Sequence, residues 1–280
     1  MTQLRPFRQV DVFTDEALLG NPVAVVLDPA GLATERMQSF TEWTNLSEAT
    51  FVGPPTHPDA DYAVRIFCPG RELPFAGHPT LGSAHAWLES GGVPKSAEIV
   101  QECGAGLVRI RRDGDVLAFA APPLQRSGPL TDDELAAAVR FLRISPDDVV
   151  AHAWCDNGPG WRGLLLRSAE LVLGLRPDPT ALDGMDVGVA GVHAAGSDVD
   201  VEIRTFFPGA DGGLTEDPVT GSFNAAVGQW LIAAGLVPER YVAAQGTALG
   251  RRGRIHVERL GGDVWVGGAC VTVLEGSAAL

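Results

Sequence analysis

One segment of this chain occurs twice. Glu72-Leu-Pro-Phe-Ala-Gly-His-Pro79 matches Glu216-Asp-Pro-Val-Thr-Gly-Ser-Phe223 at an offset of 144 residues, and the offset holds to Gly91-Gly-Val-Pro94 against Gly235-Leu-Val-Pro238. Six of the 23 aligned positions are identical (Glu, Pro, Gly, Gly, Val, Pro), and Gly and Pro among them set backbone shape rather than chemistry. Slightly upstream, Arg65-Ile-Phe-Cys-Pro69 resembles Arg204-Thr-Phe-Phe-Pro208. Solenoid units run roughly 20–50 residues, far shorter than this period. The repeat therefore predicts two similar domains with a pseudo-twofold relation, and 280 residues suffice for two.

The boundary is expected near Ala121-Pro-Pro-Leu124, where two prolines end the strand-like Val116–Ala120. This gives domains 1–122 and 123–280, with the last strand free to pack back on the first domain. Thr131 then opens a helix as N-cap, with Glu134 at its third position completing a capping box. Val10–Phe13, Val23–Leu27, Ala63–Phe67, Leu107–Arg111, Leu164–Leu166, Val199–Arg204 and Val264–Val266 read as strands, and Thr34–Trp43 as a helix. Thr80–Ser90 and Asn224–Ala234 read as helices apolar or small nearly all round, which must be buried on every side. Among so many strands, the economical arrangement is a curved sheet wrapped around each of these helices. The fold class is thus α/β (α+β).

Charge and cysteine content exclude several functions. Lys+Arg 21 against Asp+Glu 35 leaves a net charge of -14, which repels nucleic-acid phosphates and anionic membranes. No apolar run reaches the roughly 18–20 residues that span a bilayer, and Met1–Arg8 has no signal-peptide core. The four cysteines, Cys68, Cys103, Cys155 and Cys270, lack a CxxC spacing and read as reduced thiols of a cytoplasmic protein.

The candidate chemistry gathers at the starts of the two apolar helices. His78 follows Gly77, Ser222 follows Gly221, and the repeat makes the two positions equivalent. A helix N-terminus offers unpaired N–H groups and partial positive charge, a natural seat for a carboxylate or a developing oxyanion. The plainer alternative makes His78 and Ser222 N-caps only. Asp217 belongs to the second half alone, because Leu73 holds its equivalent position. It either stabilises a helix dipole or ionises beside His78 and holds one tautomer. Glu48 lies in a turn within Asn45-Leu-Ser-Glu-Ala-Thr-Phe-Val52, where a lone Glu is ordinarily a surface group, yet its neighbours Leu46, Phe51 and Val52 are apolar.

Other chemistries lack their motifs. Thr220-Gly-Ser-Phe-Asn224 is not G-x-S-x-G, no His/Cys/Asp/Glu set has metal-ligand spacing, and there is neither G-x-G-x-x-G nor a Walker A segment. No Cys stands at either helix start, which argues against a two-thiol racemase. No metal and no cofactor are expected.

Val10-Asp-Val-Phe-Thr14, Gly20-Asn-Pro-Val-Ala-Val25, Asn45–Phe51, Arg65–Pro69, Glu72–Pro79 and Glu216–Ser222, in this order, resemble the PhzF-like phenazine-biosynthesis isomerase family. The resemblance covers nearly the whole chain and is weakest over residues 128–199. It implies the diaminopimelate epimerase-like fold: two similar domains, each a sheet rolled around a central helix, with the active site between them. It implies a homodimer and cofactor-free isomerisation. By motif it implies Glu48 as the group that takes and returns a proton, with His78, Asp217 and Ser222 as active-site partners. Cys68 stands where Thr or Ala is usual, and Phe223 where a small residue is common; Phe223 is expected to narrow the cleft.

The sequence thus predicts an isomerase acting by proton transfer on a small carboxylate-bearing metabolite. Its catalytic groups are Glu48, His78 and Asp217, and Ser222, Gly77 and Gly221 bind the substrate. Two readings remain beside it: an epimerase or racemase of an amino-acid-like substrate, and a small-molecule binding protein without turnover.

Overall fold

The computed structural model describes residues 3–209 and 212–280. It divides into two compact units, Met1–Ala120 with Gly267–Leu280, and Ala121–Val266.

The first unit runs β1 (Leu4–Val12), β2 (Asn21–Leu27), α1 (Thr34–Thr44), β3 (Ala49–Gly53), β4 (Tyr62–Cys68), β5 (Arg71–Leu73), α2 (Gly77–Glu89), β6 (Ile99–Cys103), β7 (Gly106–Asp113) and β8 (Val116–Ala120). Strand order is β1-β2-β3-β4-β6-β7-β8, followed by the final strand of the chain, which pairs antiparallel with β1 from Leu4↔Ala279 to Val12↔Cys270. The main path of strands therefore closes on itself, with β5 attached beside it to β4. α2 packs against β1, β2, β3, β6 and β8, and nine of its thirteen residues are buried. An apolar helix in this position needs small residues: a Cβ on Gly82 would lie 2.4 Å from Val23 Cγ1. α1 lies against β3 and β4, where Phe7, Phe40, Phe51 and Phe67 pack edge to face.

The second unit runs α3 (Asp132–Leu142), β9 (Val149–Cys155), β10 (Trp161–Leu166), α4 (Ala169–Gly174), β11 (Val187–Val192), β12 (Val201–Pro208), β13 (Leu214–Glu216), α5 (Gly221–Ala233), β14 (Arg240–Gln245), β15 (Gly253–Leu260) and the start of β16 (Asp263–Ala279). Here the order is β9-β10-β11-β12-β14-β15-β16, with α5 against β9 and β15. Both halves of the capping box form at α3: Glu134 N donates to Thr131 Oγ1 at 3.3 Å, and Thr131 N to Glu134 Oε2 at 2.9 Å.

The duplication extends well beyond the segment that shows it in sequence. Leaving aside α3, each unit repeats ββαβββαβββ. The pairings match in sense: β2–β3 and β10–β11 are parallel, as are β4–β6 and β12–β14, whereas β1–β2, β3–β4 and β6–β7 are antiparallel like β9–β10, β11–β12 and β14–β15. α2 and α5 are both 13 residues long and start 144 residues apart. Arg65 grips Glu72 through Nε and Nη2 at 2.8 and 2.6 Å, and Arg204 grips Glu216 the same way at 2.8 and 2.8 Å. Each guanidinium lies 5.0 Å from the ring two residues on, Phe67 or Phe206.

Both central helices begin one turn before the expected Thr80 and Asn224. Their N-caps are Ala76 and Thr220, and neither side chain bonds a helix amide. His78 and Ser222 are therefore second helical residues and not caps, which removes the capping explanation for both. Pro79 suits this first turn because a helix needs no N–H there. Among the described residues, no helix is long and apolar enough to cross a membrane.

Candidate active site

In the first unit, Glu48 and His78 meet. α1 ends at Asn45 in the left-handed conformation (φ 57°), a role Asn tolerates, and the chain turns so that Glu48 is the last residue before β3. His78 stands at the head of α2, which packs on β3. Glu48 Oε2 lies 3.3 Å from His78 Nε2, and the two side chains are 17% and 6% exposed. Glu48 is thus not the solvated surface group that a lone Glu in a turn usually is.

The other face of the imidazole is held by the start of β2. Asp11, buried at 2% exposure, accepts the Gly20 amide at 3.0 Å. Only Gly fits there, because a Cβ would lie 2.3 Å from the Val12 carbonyl. This turn sets Asn21 Nδ2 3.5 Å from His78 Nδ1 and lets the Pro22 carbonyl accept from the ring. Burial drives the imidazole pKa down to about 3 against that hydrogen bond. His78 is therefore neutral near pH 7, with its Nε2 3.3 Å from the Glu48 carboxylate. Beside them the half-buried Cys68 thiol is pushed up, first by burial, with the Glu48 charge adding to it.

In the second unit, Asp217 and Ser222 flank the start of α5. Asp217 Oδ2 accepts the Thr220 hydroxyl at 2.7 Å. Ser222 Oγ accepts the Trp161 indole N–H at 3.0 Å, and its carbonyl accepts Asn157 Nδ2 at 2.8 Å. With the indole donating inward, the Ser222 hydroxyl proton is left to point at another acceptor. Gly77, Gly221 and their successors are first-turn residues whose amides have no intrahelical partner, a polarity suited to an anion. The structure therefore brings Glu48 and His78 together in the first unit and places Asp217 and Ser222 around the start of α5 in the second.

Phe223 corrects an expectation. It is fully buried and packs into the second unit, its ring over Gly188 and edge-on to Trp161 at 5.6 Å, so it cannot narrow a ligand site. One residue of helix turns a side chain by roughly 100°, and Gly188 on β11 leaves the room that Phe223 fills. Sequence reasoning also missed Asn21, Pro22, Asn157, Trp161, Thr220 and Gln245. Gln245 left a signal, because Gln101 stands 144 residues before it.

Comparison with known proteins follows the same lines. Residues 10–276 match the PhzC-PhzF family, described as phenazine biosynthesis-like protein. The chain is 36% identical to "Antisense-enhancing sequence 1" of Schizosaccharomyces pombe, covering 97% of this chain and 98% of that one. It is 34% identical to trans-2,3-dihydro-3-hydroxyanthranilate isomerase of Pseudomonas aeruginosa, covering 97% and 98%. A solved PhzF-family structure from Enterococcus faecalis has a TM-score of 0.81 at 25% identity, over 99% of this chain and 100% of that one. The repeated rolled sheet, the motif residues and these matches agree, and the chain belongs to the phenazine biosynthesis-like (PhzC-PhzF) family of isomerases.

Proposed function

We propose that this protein is a cofactor-independent isomerase that moves a proton within a small carboxylate-bearing metabolite. The observation that carries the reading is the 3.3 Å contact between a mostly buried Glu48 and a buried, neutral His78. Glu48 takes a proton from one substrate carbon: that C–H bond breaks, a carboxyl O–H forms, and the electron pair moves into the adjoining double-bond system. The same carboxyl then returns a proton to a second carbon, so nothing is oxidised or lost. One group can serve as base and then acid, and between the two steps its carboxyl proton exchanges with solvent. His78, held from behind by Asn21 and Pro22, orients the carboxyl. In the second unit, the Ser222 hydroxyl and the first-turn amides of α5 suit a carboxylate, and Asp217 suits a hydrogen-bond donor. The family resemblance also supports a cytoplasmic homodimer.

The test uses trans-2,3-dihydro-3-hydroxyanthranilate, the compound named for the Pseudomonas aeruginosa relative, in D₂O, followed by NMR. Solvent deuterium at a ring carbon of the product is expected. Glu48→Gln keeps shape and a hydrogen-bonding oxygen but cannot carry the proton. It is expected to slow exchange by about 10²–10⁴-fold, roughly 3–5 kcal/mol of barrier, while calorimetric affinity stays within a few-fold. Exchange at the wild-type rate in Glu48→Gln would remove Glu48 from the mechanism. Exchange confined to the α-carbon of amino acids would favour the epimerase reading.

A further inference from the structure

The start of α5 rests on a buried polar network whose hydrogen-bond directions can be assigned. Gln245, the last residue of β14, is fully buried with Thr205 and Asn224, and Thr220 is 6% exposed. Gln245 Oε1 accepts the Thr220 backbone N–H at 2.9 Å, and that group can only donate. It also accepts Asn224 Nδ2 at 2.8 Å, whose orientation is fixed in turn because it donates to the Thr220 carbonyl at 2.9 Å. The Gln245 amide nitrogen must therefore face the other way. There it meets Thr220 Oγ1 at 3.0 Å, Thr205 Oγ1 at 3.1 Å and the Asp217 carbonyl at 3.2 Å. An amide NH₂ has protons and no lone pair to offer. Toward Gln245 Nε2, Thr220 Oγ1 can only accept, so its own proton is free for Asp217 Oδ2 at 2.7 Å, while Thr205 Oγ1 lies 2.6 Å from Thr220 Oγ1.

We infer that Gln245 is a positioning residue that acts through Thr220: it sets the direction of the hydrogen bond that Asp217 receives, and so holds Asp217 as an acceptor. The repeat supports this role. Gln101, at the equivalent position in the first unit, also bonds the central helix but in the opposite sense: its Nε2 donates to Thr80 Oγ1 at 3.0 Å, whereas Gln245 Oε1 accepts from Asn224, the equivalent of Thr80. The glutamine's grip on the central helix is thus common to both units. The positions of Asp217 and Thr220 are Leu73 and Ala76 in the first unit, and Gln101 Oε1 there accepts the Tyr62 hydroxyl instead. Only the second unit has the carboxylate, and only the second unit has the threonine that carries the glutamine's polarity to it.

The inference rests on the reading of Asp217 as a substrate-facing group, but its test needs no turnover, so the two can fail separately. The carboxyl ¹³C resonance of Asp217 is followed through an acid titration of protein labelled at aspartate, assigned by its loss in Asp217→Asn. The charged groups on elements around it are the Arg204–Glu216 pair, Arg251 packed at Gly246, and Arg254 on β15; all are kept in every variant. A hydrogen bond to the charged form favours that form. Thr220→Val and Gln245→Met are each expected to raise the Asp217 midpoint by about one pH unit. The double variant should rise no further, and Thr220→Ser should stay near wild type. A packing role for Gln245 would leave the midpoint unmoved in Gln245→Met, or would give additive shifts, and either result overturns the proposal. Should Gln245→Met not fold, its side-chain amide resonances serve instead. In the wild type they should follow the Asp217 titration, and in Thr220→Val they should cease to; indifference in the wild type refutes the relay.

Discussion

Gly188→Ala is expected to damage the start of α5 from behind. A Cβ at that position would lie 2.2 Å from both Cε2 and Cζ of Phe223 and 2.5 Å from Cδ2. Carbon atoms rest at roughly 3.5–4.0 Å, so the ring has to retreat by more than about 1 Å. It has nowhere to go: Phe223 is 0% exposed and its edge abuts Trp161, itself 4% exposed. Overpacking of this kind costs about 1–3 kcal/mol, and the closeness of three ring atoms argues for the upper part of that range. The displacement should also reach Ser222, whose Oγ accepts from Trp161 at 3.0 Å. Urea denaturation measures the first effect, and hydrogen exchange of the Trp161 indole N–H, faster in the variant, measures the second. Phe223→Leu vacates the space that the new methyl needs. Gly188→Ala in that background is therefore expected to cost little, giving a coupling of about 1–2 kcal/mol between contacting sites. A loss under about 0.5 kcal/mol for Gly188→Ala alone, or simple addition of the two costs, would refute the reasoning.

Two further outcomes follow from burial. His78, with its pKa depressed to about 3, should show neutral-imidazole ¹⁵N shifts from pH 8 down to 5; the unfolded chain binds that proton below about 6.5, so the stability contribution is complete above 6.5 and falls with pH by about 1.4 kcal/mol per unit toward 3. A midpoint near 6.5 for this residue would contradict that. Arg204→Met and Arg65→Met break the same two-pronged ion pair in different surroundings, with side chains 5% exposed at Arg204 and 38% at Arg65. The first is expected to cost about 3–5 kcal/mol and the second about 0–1 kcal/mol in chemical denaturation, and equal costs would show that burial does not set the difference.

Both the duplication and the family were readable from the chain, for a local reason. Glu72, Pro74, Gly77 and their counterparts at 216, 218 and 221 build a strand pair and a helix start from residues close in sequence, and such segments keep recognisable residues. The capping box at Thr131 was readable for the same cause, since both partners lie within one turn. The strands of the weakest region, β9 and β11, left little trace. A strand's partner can lie far along the chain, and many apolar sequences fit one pairing. The helix starts were read a turn late because Gly and Pro at 77, 79 and 221 look like breakers until a first turn that tolerates them is seen.

Residue types and order therefore determined that two rolled-sheet units exist and that a Glu, a His, an Asp and a Ser stand at their helix starts and turns. Only the tertiary structure decided what each of these groups touches. Glu48 and His78 are 30 residues apart and meet because β3 and α2 pack together. Phe223 turns inward because β11 presents a glycine. Trp161 and Gln245 reach Ser222 and Asp217 from strands distant in sequence. Hydrogen-bond direction, burial and the pKa values they control depend on neighbours in space, and a linear pattern carries that information only where those neighbours are also neighbours along the chain.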